Sequence, residues 1–110
     1  MSIAILAAAA LSAGSPIYLS CELNQSRGPL AVEVSLNEDD QSAIVSLPSG
    51  RVVKRLAVFA PAKVTIADEN MVWTIDRKHM SFSRVVRIGE KDFSEAGTCK
   101  LQPAPADRAF

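Results

Sequence analysis

The sequence is short of the residues that chemistry most often needs. It holds a single histidine, and acid–base catalysis on one imidazole requires a nucleophile and an orienting partner in fixed geometry around it. His79 lies in the charged link Asp76-Arg77-Lys78-His79 and is expected to be an exposed loop residue. No Gly-x-Ser-x-Gly elbow presents a serine. No His-x-x-x-His or Cys-x-x-Cys spacing occurs, so zinc has too few ligands. Asn37-Glu38-Asp39-Asp40 offers hard oxygens, but it lacks the alternating ligands, central glycine and closing glutamate of a calcium loop. It reads as a solvated hairpin tip. The five glycines are scattered singly through turns and build no phosphate cradle. No cofactor, no metal and no enzyme activity are expected.

Charge of one sign is also missing. Twelve basic and twelve acidic residues give a net charge of zero, without the basic excess of a nucleic-acid binder. Aromatics make up 5% of the chain, too few for platforms that stack bases or sugars. Long apolar runs are limited to Ile3–Ala13, well short of the roughly 20 residues a spanning helix needs, so no stable membrane insertion is expected once that segment is removed.

That uncharged run ends in Ser12-Ala13-Gly14, the small residues a signal peptidase reads. Residues 1–14 are therefore expected to be a signal-peptide-like helix, although no Lys or Arg precedes the run. An Ala-rich stretch is also a good helix former, which leaves a structural N-terminal helix as the alternative. Cys21 is a poor lipidation site, because Tyr18-Leu19-Ser20 puts a bulky residue where a small one belongs. A periplasmic or secreted location follows, with one domain over residues 15–102 and a frayed tail at 103–110. Asn24-Gln25-Ser26 is a glycosylation triplet, relevant only in a eukaryotic secretory host.

In an oxidising compartment two cysteines read as a disulfide, and Cys21 and Cys99 allow one intrachain pairing. A domain this small buries a modest core and gains much from such a staple. From Ile17 onward the hydrophobic period is two. Ile17, Leu19, Cys21 and Leu23 share one face, and so do Leu30, Val32, Val34 and Leu36 beyond the turn at 25–29. Ala43, Val45 and Leu47 return from the acidic tip, and Pro48-Ser49-Gly50 opens a strand from Arg51 to Phe59 with Val52, Leu56 and Val58 expected inward beside Lys54. Val64 and Ile66 mark a short strand, Ala67–Asn70 a turn, and Met71, Trp73 and Ile75 the next inward set. Met80 and Phe82 open the following strand. There Val85-Val86 suggests a β-bulge that turns Arg84 outward. Gly89–Glu95 is expected to be a loop with a helical turn, and Gly97–Leu101 the last strand, with Cys99 and Leu101 facing the core.

The fold class is thus all-β, a small antiparallel meander of seven or eight strands closing as a barrel or sandwich. Both cysteines fall on core faces, so the first and last strands are expected to be neighbours. Asp76 is expected to pair with Arg84 or Arg87. Arg51, Lys54, Arg55, Arg77, Lys78, Arg84 and Arg87 are candidates for one basic face that meets an acidic partner protein or an anionic envelope polymer. Basic residues also guard strand edges against aggregation.

The frame of Cys21, Phe59-Ala60-Pro61, Trp73-Thr74-Ile75-Asp76-Arg77 and Gly97-Thr98-Cys99 resembles that of short exported proteobacterial proteins of unknown function. A small disulfide-closed periplasmic β-barrel is also similar to the C-type lysozyme inhibitor family, which presents a Ser-Gly loop, with a following Tyr, and a Lys to the lysozyme cleft. Pro48-Ser49-Gly50-Arg51 is a faint echo of that loop, and the only tyrosine, Tyr18, lies elsewhere. The expected function is an exported, non-enzymatic binding or envelope-accessory protein. The alternatives are an inhibitor of a secreted hydrolase acting through Leu47–Arg51, and a small hydrolase using His79.

Overall fold

The computed structural model describes residues 16–103, so the leader expected at 1–14 and the tail past residue 103 lie outside the described residues. Eight strands follow one another: β1 (Ile17–Leu23), β2 (Leu30–Asn37), β3 (Ser42–Ser46), β4 (Val52–Phe59), β5 (Lys63–Asp68), β6 (Met71–Asp76), β7 (Ser81–Ile88) and β8 (Lys91–Gln102). Each pairs antiparallel with the next, and β8 pairs with β1, so the meander closes into a barrel. No helix occurs among the described residues.

Closure depends on two small features of β1 and β8. Cys21 stands directly opposite Cys99, and their sulfurs are bonded. The Cys99 N–H donates to the Met80 carbonyl, toward β7. The cysteine pair is therefore a non-hydrogen-bonded one, the arrangement in which opposed side chains come closest, and the Cα atoms are 4.0 Å apart. Two residues earlier, Gly97 lies opposite Leu23. A Cβ there would stand 1.6 Å from the Glu22 carbonyl oxygen, so only glycine lets the two strands approach.

Alternate residues fill the interior. Leu19, Cys21, Leu23, Val32, Val34, Leu36, Ala43 and Val45 are buried as the period-two pattern requires, and so are Val64, Ile66, Trp73, Ile75 and Phe82. Trp73 and Phe82 stack with ring centroids 5.6 Å apart. Burying each such large side chain is worth about 1.5–3 kcal/mol.

Four expectations are corrected. In β4 the inward residues are Val53 and Ala57, while Val52, Leu56 and Val58 are exposed. Both phases of Val-Val-Lys-Arg-Leu-Ala-Val-Phe offer apolar residues, so the pattern cannot choose. The turn does: the Leu47 N–H donates to the Arg51 carbonyl and the Gly50 N–H to the Leu47 carbonyl, with Gly50 at φ 96°. This sets Val52 opposite Ser46 and therefore outward. The β-bulge at Val85-Val86 is absent, since the register of β7 runs unbroken against both β6 and β8. Arg84 keeps the inward phase between Trp73 and Glu95 and is largely buried rather than exposed. The loop expected at 89–95 is a two-residue hairpin, Gly89-Glu90, with Gly89 at φ 67°, so β8 begins at Lys91. Leu101 is exposed rather than core, because β7 stops pairing at Thr98 and only β1 flanks it.

The disulfide spans 78 residues, and the chain-entropy model assigns a loop of that size about 4.5 kcal/mol as an upper figure. The double variant Cys21→Ala/Cys99→Ala is expected to lose a large part of that value in urea unfolding. Wild type in excess reductant should match the variant; unchanged midpoints in both would show that the bridge does not support the fold.

Candidate functional site

The up-and-down order places the β1–β2, β3–β4, β5–β6 and β7–β8 turns at one end of the barrel. Near that end the inward positions are no longer all apolar. Ile66, Trp73, Arg84 and Glu95 form one cross-strand rung, and Asp68, Met71, Val86 and Phe93 form the next rung toward the turns. Charges thus enter the interior side of the wall within two residues of the core.

Asp68 ends β5 in the same inward phase as Val64 and Ile66, and it is 1% exposed. A bare carboxylate in such a place is strongly disfavoured unless a charge compensates it. Arg55 supplies that charge from β4, with Nη2 2.8 Å from Oδ1, and Arg51 adds a second guanidinium 3.6 Å from Oδ2. The contacts are close in distance, yet neither Asp68 oxygen accepts a well-aligned hydrogen bond. Proximity of charge, rather than directed N–H bonds, holds the group. The two arginine side chains remain 42% and 50% exposed, so much of each fork stays open to solvent.

One rung deeper, the Arg84 Nε donates to Glu95 Oε1 at 2.7 Å, and its Nη2 is bound to the same oxygen. Gln25 Nε2 donates to Glu95 Oε2 at 2.7 Å. The Arg84 guanidinium carbon sits 5.3 Å from the centroid of the Trp73 ring, a cation–π position. The Trp73 indole N–H is buried without a protein acceptor, which costs on the order of 1–3 kcal/mol. Within this cluster the three guanidiniums of Arg51, Arg55 and Arg84 face the two carboxylates of Asp68 and Glu95.

The seven basic residues singled out from the sequence do not share a face. Arg51 and Arg55 converge on Asp68, and Arg84 lies at the same end on its own carboxylate. Arg77 is in the β6–β7 link at the opposite end, bonded to Glu38 at 3.0 Å and to the Ala60 carbonyl at 2.9 Å, and Lys78 follows it. Lys54 points outward from β4, and Arg87 lies 3.5 Å from Asp92 on the outer surface. Asp76 does not meet Arg84 or Arg87. Its Oδ1 accepts the N–H groups of Lys78 and His79, each at 2.9 Å. The His79 N–H, the His79 ring and the Lys78 N–H hold the Asp76 carboxyl below its usual 3.8. His79 is exposed, as expected, with Asp76 as its neighbour.

Asp68 was assigned to a turn by the sequence, although continuing the Val64, Ile66 alternation by two residues reaches it. Glu95 was hidden in the expected loop. Among the described residues no three metal-binding side chains cluster, and no helix is long and apolar enough to cross a membrane. A shallow depression of about 270 Å³ on the outer wall is lined by Lys63, Thr74, Asp76, Ser81 and Ser83 over Phe82. No protein-family model matches the chain, nor does any curated protein or solved structure.

Two outcomes test these contacts, one at the Asp68 end and one at the opposite end. Arg55→Met strands Asp68 with the more distant Arg51 and should cost about 2–3 kcal/mol. Arg51→Met leaves the closer pair intact and should cost under about 1 kcal/mol; equal losses in chemical denaturation would refute the asymmetry. Because folding lowers the Asp76 pKa, its contribution is complete above the ordinary carboxylate value and is lost as pH falls through the lowered one. Asp76→Ala should therefore melt below wild type at pH 7, with the gap closing as the pH drops past 3.8. A gap that is constant with pH would contradict the hydrogen-bonded turn.

Proposed function

We propose that this chain is an exported, non-enzymatic binding protein of the cell envelope, and that it contacts anionic groups of a protein or polymer through the rim bearing Arg51 and Arg55. The observation that carries this is the convergence of two half-exposed guanidiniums on one buried carboxylate. Asp68 draws both forks to one place by charge, and Arg55 Nη1 also donates to the Lys54 carbonyl at 2.9 Å; side chains gathered beforehand lose less freedom on binding. The outer N–H groups then suit a carboxylate or phosphate, which arginine grips in a bidentate way. The apolar leader supports export, and the buried disulfide is consistent with an oxidising compartment such as the periplasm.

A second reading uses the same rim. The Leu47–Arg51 turn is built on a Gly50 that tolerates φ 96°, its Arg51 N–H reaches Ser49 Oγ at 3.4 Å, and its Arg51 side chain is anchored on Asp68. Pro48, Ser49 and Gly50 are all exposed, which suits a loop that plugs a hydrolase cleft.

Retention of the purified chain on polyglutamate against neutral dextran tests the first reading. Wild type should bind only the anionic matrix at physiological salt, and Arg51→Gln/Arg55→Gln should elute with the void. No retention, or equal retention of the variant, rejects it. Inhibition of a C-type lysozyme by wild type but not by Ser49→Trp would move the assignment to the second reading.

A further inference from the structure

The outer wall of β3, β4 and β5 differs from the rest of the barrel. β4 turns Val52, Leu56 and Val58 outward at 62%, 78% and 68% exposure, with Lys54 among them. The Ala57–Ile66 pairing sets Leu56 beside Ala67, which stands opposite Val72, and Val58 lies opposite Thr65. On the other flank Leu56 and Lys54 meet Ser42 and Ile44. The outward positions of these three strands are thus aliphatic, hydroxyl or lysine. Lys54 and Lys63 are their only charges, and no carboxylate stands among them. The chain as a whole has as many acids as bases, so this face is a local cationic excess. Asp76 lies opposite Lys63 across the β5–β6 pairing, but its Oδ1 is turned to the N–H groups of Lys78 and His79. Among the described residues neither lysine is ion-paired. Exposed aliphatic side chains gathered in this way mark an interaction surface.

We propose that this face rests on an anionic lipid surface, with Val52, Leu56 and Val58 dipping below the headgroups and Lys54 and Lys63 on the lipid phosphates. Charge complementarity selects an anionic occupant, since the face offers cations without a competing carboxylate. The aliphatic side chains between those cations select one with an apolar layer beneath its charge. Burial of such side chains and attraction to anionic headgroups add at a bilayer surface. Shape points the same way. The outer wall of a barrel is convex, and a fluid interface folds around it where a folded protein would need a matching hollow. β4 sits between β3 and β5 in the closed barrel, so side chains rather than a strand edge make the contact. The barrel lies on the surface and does not cross it: Glu22, Glu33 and Lys100 occupy outward positions of β1, β2 and β8, and a spanning wall is apolar all round. This contact needs neither Arg51 nor Arg55, and so stands or falls apart from the proposed anion-binding rim.

Co-sedimentation of the oxidised full chain with vesicles tests it. The protein should pellet with vesicles of phosphatidylglycerol and phosphatidylcholine, and stay in solution with phosphatidylcholine alone. Leu56→Ser/Val58→Ser should weaken partitioning at least about tenfold without changing the melting temperature, because both side chains face solvent in the free protein. Lys54→Glu should weaken it about tenfold, with the loss shrinking as salt is raised. Arg51→Gln/Arg55→Gln should keep most of the binding. No pelleting with anionic vesicles overturns the proposal, as does pelleting that Leu56→Ser/Val58→Ser leaves unchanged or that neutral vesicles match. Pelleting lost only in Arg51→Gln/Arg55→Gln assigns the lipid contact to the rim and overturns this face. Retention on polyglutamate that Leu56→Ser/Val58→Ser abolishes, with vesicles unbound, assigns the face to an acidic protein instead.

Discussion

Everything in this molecule depends on β1 meeting β8. Seven of the eight strand pairings are between neighbours in sequence, each joined by a short turn, and they would form a curled sheet with two bare edges. Only the eighth pairing brings the ends of the domain together and encloses Trp73, Phe82 and their neighbours. That pairing is the most distant in sequence and the most expensive in chain entropy. It is also the one that carries a covalent bond and, among the described residues, the one position where a glycine removes a clash. Reinforcement is concentrated where local propensity offers least.

The second constraint is a conflict between phase and polarity. Strand geometry sends Asp68 and Arg84 inward whatever their chemistry. The fold resolves this by placing them in the last two rungs before the turns, where each finds an opposite charge. Arg84 also lays its guanidinium over the indole it faces. The result is a wall whose interior is apolar through its middle and ionic toward one end. Of those charges, the half-exposed Arg51 and Arg55 present most to solvent.

Much of the fold was legible because strict alternation leaves one face no polar option. In Leu19-Ser20-Cys21-Glu22-Leu23 or Val32-Glu33-Val34-Ser35-Leu36 only one phase buries the apolar set, and the structure agrees. Such alternation also put the two cysteines on core faces. It failed where both phases were partly apolar, as in β4, where a turn hydrogen bond decides. It failed again at Arg84, because period two cannot distinguish an inward arginine held by Glu95 and Trp73 from one expelled by a bulge. The candidate site was hardest to see, because the expected phase of β4 turned Arg55 outward and Asp68 was placed in a turn, whereas the two meet across the β4–β5 pairing with Arg51 beside them.

The stacked Trp73 has one more consequence. It is the only tryptophan in the chain, shielded from solvent, with Phe82 on its ring and a guanidinium nearby. Its neighbours come from β5 and β7, and the Arg84 beside it is tied to β8 and the β1–β2 turn. Ultraviolet emission from this one indole therefore reports on the seam between the terminal strands, so the molecule carries its own optical gauge of whether the cylinder is shut.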